Sequence, residues 1–160
     1  MKRRLSALVA GLVLSLFTLT TLAAAAAGDY AKGRGTTTGA RFSFLAQGTG
    51  AADRANGNMS HTFTSTDPNI TVTGDVTCMV IVGNSATIAG RVTGFKPAGA
   101  ANTFGNPQGF LIIASDNAKP SGGLDGYILN FTSTPTPVCF PPFLVFGNVI
   151  TGDIEIIPGP

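Results

Sequence analysis

Tryptophan is absent from this 160-residue chain, histidine occurs once, and charged residues make up only 11% of it. With no Trp and only Tyr30 and Tyr127, the flat aromatic platforms that glycan-binding modules usually present are missing, which disfavours carbohydrate binding. A single histidine, His61, is a thin basis for acid–base or nucleophilic chemistry. No Gly-x-Ser-x-Gly elbow accompanies it, and it is expected on the solvent face of a Thr-rich strand, so no catalytic residue is assigned. Zinc would need more His or Cys ligands than His61 and two cysteines can supply. Glu, Lys and Gln are scarce, and no i, i+3, i+4 pattern persists beyond the N-terminal run, which excludes a helical bundle.

What is present begins with Met1-Lys2-Arg3-Arg4, an apolar run from Leu5 to Leu22 and the small residues Ala23 to Ala27. This is the layout of a secretory signal peptide, with a signal helix over residues 1–27 and cleavage expected near Ala27-Gly28. Lys2, Arg3 and Arg4 hold three of the ten basic residues, leaving seven against eight acidic ones. The mature chain is therefore near neutral, with no basic run to attract nucleic acid and no later stretch able to span a membrane. The expected location is extracellular, with an unidentified extracellular or cell-surface partner. In that oxidising setting, Cys78 and Cys139 are expected to form a disulfide.

About 130 mature residues suffice for one domain with its own core. Residues 28–39, GDYAKGRGTTTG, offer nothing obvious to bury and read as a flexible Gly/Thr-rich lead, placing the β domain at residues 40–157. Within it, Arg41 to Leu45, His61 to Ser65, Val76 to Val82, Ala86 to Val92, Phe110 to Ala114, Tyr127 to Phe131, Phe143 to Phe146 and Val149 to Ile156 read as strands. Phe95 to Gly109 and Asp116 to Gly126 read as loops, and Pro135 to Pro142 interrupts regular structure. The fold class is all-β, an antiparallel β-sandwich or flattened barrel of about seven to nine strands, largely a meander.

Parity makes the central hairpin more specific. Val76, Cys78, Val80 and Val82 share one face, and Ala86, Ile88 and Val92 share another. An odd loop at Gly83-Asn84-Ser85, or a nearby bulge, is expected to bring both sets onto one side, so that Val80 and Ile88 face the same core.

The order of Ala40-Arg41-Phe42-Ser43-Phe44, Gly83-Asn84-Ser85-Ala86-Thr87-Ile88-Ala89-Gly90 and Asp116-Asn117-Ala118-Lys119-Pro120-Ser121-Gly122, followed by Asp125 and Tyr127, resembles a family of small all-β modules in secreted bacterial proteins. Ala40, Ala118 and Ser121 stand where that family's pattern has glycine. The resemblance covers most of the mature chain and implies an extracellular β domain with no assigned activity.

Two constellations remain as ligand candidates. Asp116, Asn117 and Asp125 place hard oxygen donors on one loop, a weak calcium site set against an Asx turn plus a carboxylate steadying the next strand; no other cofactor is expected. Phe140, Phe143 and Phe146 sit in an apolar run that would either form a core strand or line the mouth of a barrel holding a lipophilic ligand. The functional expectation is a non-enzymatic extracellular binding or structural module, with a lipophile carrier and a secreted hydrolase as rivals.

Overall fold

The computed structural model describes residues 28–51, 53–117, 123–143 and 147–160. Residues 1–27, expected as a signal peptide, Ala118 to Gly122 and the Leu144 to Phe146 part of the expected Phe143 strand lie outside the described residues. Eight strands form one antiparallel, curled sheet: β1 (Tyr30–Thr37), β2 (Ala40–Gly48), β3 (Arg54–Phe63), β4 (Ile70–Val82), β5 (Ser85–Lys96), β6 (Gly109–Ser115), β7 (Gly126–Thr132) and β8 (Thr151–Ile157). The order β7-β6-β5-β4-β3-β2-β1-β8 is a meander in which only the last strand leaves sequence order, to pair beside β1. The sheet is rolled into a half-barrel, and its concave side holds the main core.

The segment expected as a flexible lead is instead a strand of that sheet. Ala31, Gly33 and Gly35 alternate inward with Lys32 and Arg34 outward, and β1 pairs along its whole length with β2 and from Tyr30 to Thr36 with β8. Its apolar content is supplied by its neighbour. Gly33 lies opposite Phe44 and Gly35 opposite Phe42. A Cβ on Gly33 would sit 2.4 Å from the Phe44 ring. Glycine thus makes room for cross-strand rings, and hydrophobic patterning within β1 alone cannot register that burial.

The central hairpin differs from its expected register near the turn. Gly83-Asn84 is a two-residue loop, with Val82 opposite Ser85 and Val80 opposite Thr87, so Val80 and Ile88 lie on opposite faces. Met79, Ile81, Ala86 and Ile88 point into the barrel, while Cys78 and Val80 point outward with Ala89. A register shift between Val76 and Cys78 then returns Val76 to the inner face, opposite Gly90. The physical reason is that β4 is apolar on both faces here: its outward residues are covered by the chain that follows β7. That connection crosses the outside of the sheet and is fastened by the Cys78–Cys139 disulfide, with Cα atoms 6.0 Å apart. Closing a loop with a sequence separation of 61 stabilises the fold by about 4 kcal/mol in the chain-entropy picture.

Inside the roll, the Phe110 ring occupies the space left by Gly74 and Gly90, and a Cβ on Gly90 would come within 2.0 Å of the Asp75 carbonyl oxygen. At one end, Phe63, Phe95 and Phe131 pack against Phe104 and Ala100 of a 3-10 helix, Ala100–Phe104, which covers that mouth. β5 runs on to Lys96 and this helix follows, within the stretch read as a loop.

Candidate functional site

The single histidine and Tyr127 are buried in the core. His61 shares an inward parity with Met59 and Phe63, not the solvent face expected for it, and is only 5% exposed. Its ring meets Phe63 edge-on and lies parallel to Tyr127. Nδ1 is 3.2 Å from the Tyr127 hydroxyl. Burial pushes the imidazole pKa down to about 4 and the Tyr127 phenol above its ordinary range. At neutral pH both groups are uncharged, each supplying the other's hydrogen-bond partner, with Phe42 stacked on Tyr127 at 4.0 Å. The signal for this placement was the common parity of residues 59, 61 and 63, which outweighs the Thr content of the intervening positions.

Asp116, Asn117 and Asp125 are brought together, and the described hydrogen bonds of Asp125 run to the main chain. Its two carboxylate oxygens accept the N–H groups of Asn117, at 3.0 Å, and of Ile154 in β8, at 2.8 Å. Beside it, Asn148 Nδ2 donates to the Tyr127 carbonyl while the Tyr127 N–H donates to Asn148 Oδ1, at 2.6 and 2.8 Å. Two side chains therefore join the β7 edge of the sheet to the β8 edge where a continuous ladder is lacking. Asn148 stood out in no sequence pattern, because its role depends on two strand edges meeting in space. No group of three His, Cys, Asp or Glu side chains able to hold a metal occurs among the described residues.

Phe140 and Phe143 do not line a barrel mouth. They are 40% and 55% exposed on the connection strapped across the outer face, beside Val138 at 78%, and Phe146 lies outside the described residues. The concave side is filled instead by Phe42, Phe44, Met79, Phe110, Tyr127 and the aliphatic residues around them, all buried.

The open surface is the convex face of β8-β1-β2-β3-β4-β5, and it is polar in ordered rows. Thr151, Thr36, Arg41, Thr62, Thr71 and Lys96 lie directly opposite one another across the six strands. One pleat away run Asp153, Arg34, Ser43, Ser60 and Thr73. Hydroxyl pairs tie the rows, Thr36 to Thr151 at 2.7 Å and Thr62 to Thr71 at 2.9 Å. Two shallow depressions of about 450 and 460 Å³ lie on this face and share Arg34 and Ser43. Lys32 is paired with Glu155 at 2.7 Å, and that carboxylate raises the lysine pKa. Arg34 and Arg41 make no ion pair among the described residues.

The disulfide indicates an oxidising environment of extracellular type, and no helix among the described residues is long and apolar enough to cross a membrane. No family model, curated protein or solved structure matches this chain.

Proposed function

We propose that this chain is a secreted, non-enzymatic binding or structural module that acts through the convex face of its sheet. The observation that carries this reading is the separation of chemistry from access: the sole histidine and Tyr127 are packed in the core, while an ordered polar surface spanning six strands faces outward. A hydrolase needs a general base within reach of a substrate, and His61 is enclosed by Phe63 and Tyr127. A lipophile carrier needs an open apolar cavity, and the half-barrel is occupied by its own side chains. The resemblance to secreted β modules points the same way, as does the disulfide.

Native mass spectrometry of the exported protein, combined with a fluorescent fatty-acid uptake assay and a panel of chromogenic esters, glycosides and phosphate esters, tests the reading. The expected outcome is a mature chain beginning near Gly28, without stoichiometric lipid and without turnover. A one-to-one lipid adduct would establish the carrier, and turnover removed by His61→Gln would establish the hydrolase.

A further inference from the structure

We propose that the groove between Arg34 and Arg41 binds an acidic polysaccharide of the polyuronate kind, a polyol chain carrying singly charged carboxylates. This names the ligand class for the surface invoked above and rests on that reading. The depression is lined by two arginines and by five hydroxyl-bearing side chains, Thr36, Ser43, Ser60, Thr62 and Thr151, with no acidic side chain in its lining. In register, Arg34 faces Ser43, and Arg41 is two residues along β2 on the same face. A regular ladder sets such diagonal neighbours about 7–8 Å apart.

The two guanidinium groups line one depression with like charge, and neither is neutralised by an ion pair among the described residues. Anionic groups arriving along the groove offset that charge. Guanidinium forks match planar carboxylates in a bidentate manner, and hydroxyls fixed in mutual hydrogen bonds present donors and acceptors to the ring hydroxyls of a sugar. The lack of Trp bears on stacked sugar faces and leaves this mode of recognition untouched.

The surroundings also limit charge density. Asp153 stands opposite Arg34 and Glu155 opposite Lys32 at the margin of the adjoining depression. A densely sulfated polymer would carry more negative charge against both than a polymer with a single carboxylate on each sugar. Selectivity for low charge density is thus part of the proposal.

Affinity gel electrophoresis of the oxidised mature protein in gels containing polygalacturonate, neutral dextran or dextran sulfate provides the test. Retardation is expected with polygalacturonate and absent with dextran, with dextran sulfate binding more weakly than polygalacturonate. The double variant Arg34→Ala/Arg41→Ala should weaken polygalacturonate binding at least tenfold with an unchanged melting temperature. Arg41→Lys, which retains charge and loses the fork, should weaken it about threefold. Ser60→Glu, which introduces a carboxylate into the groove, should give a loss like that of the double variant. Absence of retardation, retention of binding in the double variant, or tighter binding to dextran sulfate would overturn the proposal. Failure here without lipid binding or turnover removes the ligand class alone, whereas a lipid adduct or turnover removes the functional reading beneath it.

Discussion

Lowering the pH from 7 toward 4 protonates the His61 ring in the unfolded chain before it does so in the folded one. With the folded pKa near 4 against an ordinary value of 6.5, the unfolded state binds the extra proton. Stability is full above about pH 6.5, falls through the interval down to about 4 and levels off below it, for a loss of roughly 3 kcal/mol. Urea melts at pH 7.0 and 4.5 should show this slope, and His61→Gln, which retains a partner for the Tyr127 hydroxyl, should remove His61's share of it. Thr87 supplies the opposite case. Its hydroxyl is buried without a hydrogen-bond partner among the described residues, beneath the outer connection. Thr87→Val keeps the shape and removes the unsatisfied group, and should raise unfolding stability by about 1 kcal/mol in the same assay. Neither placement was read from the sequence: His61 was expected on the solvent face although it shares the parity of Met59 and Phe63, and Thr87, opposite Val80 on the outer side of the sheet, carries no local mark of burial.

The strands owe their places to unequal partners. β1 has almost no apolar side chains of its own, and it stays in the sheet because Phe42 and Phe44 lay their rings over Gly33 and Gly35. A larger residue there must displace a ring. Gly33→Val is expected to cost about 1–3 kcal/mol by overpacking, read as a lower denaturation midpoint with an unchanged slope. The β7 and β8 edges are held by Asp125 and Asn148 in place of a complete ladder. Asn148→Ala removes both bonds to the Tyr127 main chain and should lower stability by about 1–3 kcal/mol. Hydrogen exchange in this variant should accelerate at Tyr127 and Ile154 while the β3–β5 amides remain protected. The alternating runs of β2 and β7 were plain from period-two patterning, and β6 from its continuous apolar run. β1 was not, because a strand that buries glycine against a neighbour's rings carries no pattern of its own.

For the molecule as a whole, the Cys78–Cys139 bridge is the one covalent tie between the sheet and the chain that crosses its outer face. Reduction should lower stability by about 4 kcal/mol and the melting temperature by roughly 10–15 °C, measured by calorimetry with and without reductant. The sequence by itself determined the all-β class, the antiparallel meander, the strand count within its expected range and the pairing of the two cysteines. These follow from local alternation, turn chemistry and an even cysteine count, all of which act over a few residues or by elimination. The tertiary structure alone decided that the hairpin turns in two residues, because Cys78 and Val80 could face outward only once the connection after β7 covered them. It alone turned His61 inward against Tyr127, joined the sheet edges through Asn148, and left Phe140 and Phe143 exposed on the outside of the roll, neither in a core strand nor at a mouth. It also set Arg34 beside Arg41 on a surface of hydroxyls. Each of these depends on which distant strands become neighbours, and side-chain parity specifies a face without naming what will lie against it.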